Sequence, residues 1–182
     1  MEVDEAHRKY LTINTHRGLF QCQRLPYDIA SAPAIWQRAM EQVLQGSGAQ
    51  CYLDDIIVTG MSLEEHLATL DQVLQRLEEY GLKANQAKCK FLQDSVEYLG
   101  HVISAAGLQQ SPAKVEAIIN VPAPKAQTQL RSFIGMAQYY ARFMPNLATE
   151  LAPLHRLLKK NVPWQWTETE QNAFDNVKSL LL

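Results

Sequence analysis

Two short β-prone runs, Ala49–Leu53 and Ile56–Thr59, are separated only by the adjacent acids Asp54-Asp55. A chain that leaves one strand and enters another at once must reverse, so the acids fall at a hairpin turn. Two carboxylates beside Ile56, Ile57 and Val58 are costly there, because they repel each other and are partly desolvated. A divalent cation relieves both problems, and hard oxygen donors suit Mg²⁺. From the pair alone a plain polar turn is an equal reading, since Asp is common in turns.

The segments around this hairpin alternate. Tyr10–Thr15 and Leu19–Arg24 read as a hairpin turning at His16-Arg17-Gly18. Ser31 and Pro33 open a helix running through Ile35, Trp36, Ala39, Met40, Val43 and Leu44, and Gly46-Ser47-Gly48 stops it. Ser62 with Glu65 forms a capping box before Leu63, Leu67, Leu70, Leu74 and Leu77, which share a helical face. Cys89–Leu92 and Val96–Ile103 suggest a hairpin around Gln93-Asp94-Ser95. Beyond Ser111-Pro112 the pattern is helical: Lys114–Asn120, Leu130–Phe143 and Leu147–Lys160, with Pro122, Pro124 and Pro145 as breaks. A second capping box, Thr167 with Glu170, opens a helix whose Phe174, Val177, Leu180 and Leu181 share one face. The chain thus reads as α+β up to Gly107–Ser111 and all-helical after it. The last helix is still apolar at Leu182, so a segment of something larger is expected.

Composition supports a packed core, with 47% apolar and 20% charged residues among 182. Bulk charge, −2 overall, gives no case for nucleic-acid binding, but its distribution is uneven. Residues 112–182 carry eight basic and five acidic side chains, while residues 1–111 carry nine and fourteen. Lys83, Lys88 and Lys90 cluster in the acidic part, where solvated surface is the plain reading. Cys22, Cys51 and Cys89 are scattered, which argues against a disulfide framework or zinc site. With no signal-like start and no bilayer-length apolar run, an intracellular location is expected, cytoplasmic or nuclear, neither secreted nor in a membrane.

Tyr52-Leu53-Asp54-Asp55 resembles the Y-x-D-D motif of reverse transcriptases, and other motifs accompany it in order. Leu25-Pro26-Tyr27-Asp28 through Trp36-Gln37 resembles the family's substrate-pocket segment. Gly81-Leu82-Lys83 through Lys88-Cys89-Lys90-Phe91 resembles the next motif, and Val96–Ser104 the primer-grip hairpin. Gln129–Gly135 and Tyr139–Phe143 resemble the helical thumb, and Trp164-Gln165-Trp166 with Phe174 and Lys178 the lead-in to ribonuclease H. The chain is therefore identified as similar to the Ty3/gypsy class of long-terminal-repeat retrotransposon polyproteins.

The resemblance implies an α+β fold with three parts. These are a partial palm over residues 1–108, a helical thumb over 109–160 and the start of the connection over 161–182, without fingers or first catalytic strand. The implied reaction is RNA-directed DNA polymerisation, a two-metal transfer from dNTPs onto a primer 3′-hydroxyl, with Mg²⁺ or Mn²⁺ as cofactor. An RNA or DNA primer–template is the implied partner, as is the remainder of the polyprotein (fingers, ribonuclease H, integrase). Asp54 would be the principal metal ligand and Asp55 the supporting one. Lys88 would approach the pyrophosphate leaving group, a solvated lysine being equally compatible. Leu25, Pro26, Tyr27, Asp28 and Tyr52 would form the substrate pocket. Tyr98, Leu99 and Gly100 would press on the primer backbone, a core Tyr-Leu pair being the local alternative. Arg131 and Arg142, with Tyr139 and Tyr140, would track phosphate and sugar unless the aromatics are core. On one continuous helix the two arginines would lie within about 20° of each other.

Two departures from the family pattern lead to the expectation that the isolated chain is inactive. The family's first catalytic aspartate belongs to a strand before the present start, and Asp4 does not replace it. The pocket motif has Gly where Asp28 stands, and a Cβ and carboxylate obstruct close ligand approach. A non-catalytic nucleic-acid- or protein-binding module, or a non-functional remnant, is the alternative.

Overall fold

The computed structural model describes residues 1–182, which form two compact units, Met1–Cys89 and Lys90–Leu182. In the first unit a short 3₁₀ helix, Glu5–Leu11, leads into β1 (Thr12–Thr15) and β2 (Gly18–Gln21). These pair antiparallel from Thr12↔Gln21 to Thr15↔Gly18. The turn needs Gly18, whose φ of +113° suits a residue without Cβ. Helix α1 (Ala32–Val43) has Ser31 at its N-cap, but Ser31 makes no side-chain cap bond, and Pro lies in the first turn. A second hairpin, β3 (Gln50–Tyr52) and β4 (Asp55–Ile57), is followed by α2 (Leu63–Glu79). Met40, Val43 and Leu44 pack on Val73 and Leu77, flanked by Trp36, Cys51, Ile56 and Val58.

The α2 leucine stripe is only half used. Val73 and Leu77 are buried, whereas Leu63, Leu67 and Leu74 remain exposed, because the buried face is rotated towards Leu70 and Val73. Its capping box is also half formed. Ser62 accepts from the Glu65 amide, but Glu65 turns back to the amide of Met61 instead of Ser62.

The second unit starts with a three-stranded meander, β5 (Ser95–Tyr98), β6 (His101–Ser104) and β7 (Gly107–Gln110). Helices α3 (Pro112–Ile119), α4 (Gln127–Tyr139), α5 (Leu147–Arg156) and α6 (Glu168–Ser179) follow. Their core includes Leu130, Phe133, Leu151, Leu154, Phe174 and Val177, and the Phe133 and Phe174 rings lie 4.4 Å apart. The Thr167–Glu170 capping box is complete. Hydrogen bonding from Thr167 is the main reason the Glu170 carboxyl is held below its ordinary range.

Several elements differ from the sequence reading, among them the strand Gly107–Gln110, which that reading lacks. Cys89–Leu92 forms no strand, and Leu92 adopts a left-handed φ of +51°, which breaks extended backbone. Val96–Ile103 is not one strand but folds at Leu99-Gly100, both with positive φ (+47° and +71°), as a two-residue antiparallel turn requires. Helix α4 ends at Tyr139, and Ala141–Phe143 is a separate 3₁₀ turn, so the continuous-helix placement of Arg131 beside Arg142 does not hold.

Candidate functional site

The hairpin forms one residue earlier than the sequence reading, which put both acids in the turn; Asp55 is instead the first residue of β4. Tyr52 pairs with Asp55, leaving Leu53-Asp54 as the two-residue turn, with both acids exposed. Leu53 takes a φ of +53°, a region that costs an L-residue about 1 kcal/mol or more. The turn is held from α1. The Gln37 side-chain oxygen accepts from the Leu53 amide at 2.6 Å, and its nitrogen donates to the Cys51 carbonyl at 3.1 Å. Glu41, one turn further along α1, accepts from the same nitrogen at 2.8 Å. Burial, then the nearby Glu41 charge, pushes the Cys51 thiol up. After β4, Gly60 allows α2 to approach, since a Cβ there would lie 2.6 Å from the His66 amide nitrogen.

Elsewhere in the first unit, Leu25 and Pro26 are partly buried, Tyr27 is 96% exposed, and Tyr52 is half exposed. Asp28 adopts a φ of +67°, the backbone state in which glycine is at ease and Asp is tolerated. The backbone shape a glycine would permit is therefore kept, and what Asp28 adds is its carboxylate. Lys88 ends a short 3₁₀ helix, Gln86–Lys88, and is exposed.

The remaining candidates lie in the second unit. The Tyr139 hydroxyl donates to the Leu99 carbonyl, and the Tyr140 hydroxyl to the Gly100 carbonyl at 2.7 Å. His101 adds its Nδ1 at 3.0 Å from the Leu99 oxygen and lies among the rings of Tyr139, Tyr140 and Phe143. Tyr140 is buried, which with Tyr139 beside it raises its hydroxyl pKa. These tyrosines thus grip the Tyr98-Leu99-Gly100 turn. Their spacing in the sequence gave no sign of it, because the partners are backbone carbonyls some forty residues away. Arg131 and Arg142 are both exposed, and Arg142 lies over the Phe143 ring.

The sequence pattern of the family described as "Reverse transcriptase (RNA-dependent DNA polymerase)" matches residues 2–103, more than half of the chain. The chain belongs to the reverse transcriptase family. Among curated proteins, it is 35% identical to the transposon Tf2-3 polyprotein of Schizosaccharomyces pombe, over 100% of this chain and 14% of that protein. It is 36% identical to the Pol polyprotein from transposon 412 of Drosophila melanogaster, again over 100% of this chain and 15% of that one. These retrotransposon relatives agree with the Ty3/gypsy resemblance, and the chain spans about one seventh of their length. The fold matches the foamy viral protease-reverse transcriptase in complex with double-stranded DNA, with a TM-score of 0.90 and 23% identity. That match covers 99% of this chain and 32% of the viral one. The foamy viral protease-reverse transcriptase in complex with RNA/DNA hybrid gives a TM-score of 0.86 at 23% identity, over 99% and 25% of the two chains. The α+β class expected from the sequence is thereby confirmed for this reverse transcriptase segment. No helix is long and apolar enough to cross a membrane.

The donor set of the hairpin fits a hard divalent cation in kind. Mg²⁺ is commonly held by one or two carboxylates plus water and substrate phosphate, and Asp54 and Asp55 are exposed at one turn. No group of three or more potential metal ligands forms within the chain.

Proposed function

We propose that the chain is the palm-to-thumb portion of an RNA-directed DNA polymerase, adding dNTPs to a primer 3′-hydroxyl on an RNA or DNA template. The observation that carries this is the Asp54-Asp55 pair at a clamped hairpin turn inside a reverse transcriptase sequence match. On this reading residues 1–108 belong to the palm, 109–160 to the thumb and 161–182 to the connection towards ribonuclease H. Asp54 and Asp55 hold Mg²⁺ or Mn²⁺ through carboxylate oxygens, with Asp54 the principal ligand. A divalent ion bound there supplies charge neutralisation for the triphosphate and activates the hydroxyl. Lys88 offers a cation for the departing pyrophosphate. Leu25, Pro26, Tyr27, Asp28 and Tyr52 contact the incoming nucleotide, with Asp28 lowering affinity for an anionic substrate.

On the same reading the Tyr98-Leu99-Gly100 turn supports the primer backbone, and Arg131 and Arg142 contact phosphates. Such contacts act through charge and weaken with salt; with so few, the isolated chain binds duplex with a Kd on the order of 10 µM or weaker. Two carboxylates leave the polymerase metal site short of ligands, so the 182 residues by themselves do not extend a primer. Primer extension with Mg²⁺ or Mn²⁺ is the test. A reverse transcriptase carrying this segment should lose on the order of a thousandfold in rate with Asp54→Asn. Undiminished extension by that variant would overturn the reading.

A further inference from the structure

We infer that Gln37 is a positioning residue for the carboxylate turn, which deepens the reading of Asp54 and Asp55 as metal ligands and rests on it. Three observations carry this. Leu53 stands at a φ of +53°, a conformation that persists only where surrounding contacts determine it. The turn's own pairing ends at Tyr52↔Asp55, so β4 supplies no backbone partner for the Leu53 amide in that ladder. Gln37 supplies it, accepting at 2.6 Å, while its nitrogen engages the Cys51 carbonyl two residues earlier. One side-chain amide thus ties the Leu53 N–H and the Cys51 carbonyl, on either side of Tyr52, to α1.

The orientation of that amide is itself fixed. Glu41 as a carboxylate can only accept, so the Gln37 nitrogen must face Glu41 and the Cys51 carbonyl. The oxygen is then left for the Leu53 amide. Reversal of the amide would set two oxygens against each other at Glu41 and two N–H groups against each other at Leu53. Helix α1 places Gln37 on the side facing the hairpin, next to Trp36, which packs on the unit's core. Gln37 is a positioning residue because it touches the backbone that presents Asp54.

The ¹⁵N-labelled full chain, titrated with Mn²⁺ and assayed for amide hydrogen exchange, tests this. The first readout is the Mn²⁺ concentration that half-broadens the Asp54 and Asp55 amides, and the second is the exchange rate of the Leu53 amide. Gln37→Met, similar in size but without the amide, should raise both by about tenfold or more, as expected when the bonds to Leu53 and to Cys51 are both lost. Gln37→Glu combined with Glu41→Gln keeps an acceptor for the Leu53 amide without setting two carboxylates against each other, and should restore Leu53 protection. The amides of Val43 and Val73 report whether the unit remains folded. Gln37→Met behaving as the parent in both readouts, or the Gln37→Glu/Glu41→Gln chain failing to restore Leu53 protection while folded, would overturn the proposal. If the parent chain shows no Mn²⁺ broadening at Asp54 and Asp55, the metal reading fails separately, and the Leu53 exchange rate alone decides the role of Gln37.

Discussion

Leu53 and Leu99 occupy equivalent places, each the first residue of a two-residue hairpin turn and each in left-handed backbone. Their supports differ. Leu99 is followed by Gly100, also at positive φ, and the turn rests against Tyr139 and Tyr140 at the end of α4. That helix is anchored in a core of sixteen buried residues. Leu53 is followed by Asp54 and depends on Gln37, on a helix whose unit has five buried core residues. In the same unit, Ile13, Phe20, Leu63 and Leu67 remain exposed. Side-chain hydrogen bonds hold both turns. In residues 90–182 they come from tyrosines at the end of a helix in a dense core, whereas in residues 1–89 the glutamine stands on a helix beside a small core, where burial is sparse. A carboxylate pair needs this second solution, because acids are better presented from an exposed turn than from a desolvated one.

The largest break of this comparison comes from the core. Phe133 is fully buried against Phe174, so Phe133→Ala should cost about 4 kcal/mol. In denaturant unfolding followed by residue-specific probes, that loss should appear in residues 90–182 while residues 1–89 keep their midpoint. An equal shift in both would mean that the units fold as one. A smaller effect isolates the Leu99 turn. Tyr140→Phe removes the hydroxyl from the Gly100 carbonyl, which retains only the longer bond from the Ser111 amide at 3.3 Å. A loss of about 1 kcal/mol is expected, with no change at Leu53, and thermal unfolding with NMR shifts reads both.

The smallest effect is a gain. Leu53→Gly relieves the left-handed strain but adds chain entropy to the unfolded state, so the net is about +0.5 kcal/mol of stability. Destabilisation by that variant would show that the Leu53 side chain contributes packing that outweighs the strain.

Much of this was legible in the sequence. The change from mixed to helical structure beyond residue 111 follows from apolar spacing and proline positions, and the last strand ends at Gln110. The Asp54-Asp55 hairpin could be read because two β-prone runs leave no other path. The strand pattern of Val96–Ile103 hid the Leu99-Gly100 turn, because one Gly within a β-prone run does not announce a reversal; only the resemblance to the primer-grip hairpin pointed to one. Gln37 was hidden for a different reason. A glutamine on an amphipathic helix looks solvated, and only the packing of β3 onto α1 reveals partners fourteen and sixteen residues away. The exposed edge of the α2 leucine stripe shows the same limit, since periodicity fixes a face but not how much of it is covered.

Amide hydrogen exchange across the intact chain tests most directly the claim that the carboxylate turn is held locally on the less densely packed unit. Residues 130–143 should be among the most protected. Residues 49–59 should exchange faster by about a hundredfold or more, as expected for a short two-stranded ribbon beside a small core. Protection at 49–59 as strong as at 130–143 would contradict the account.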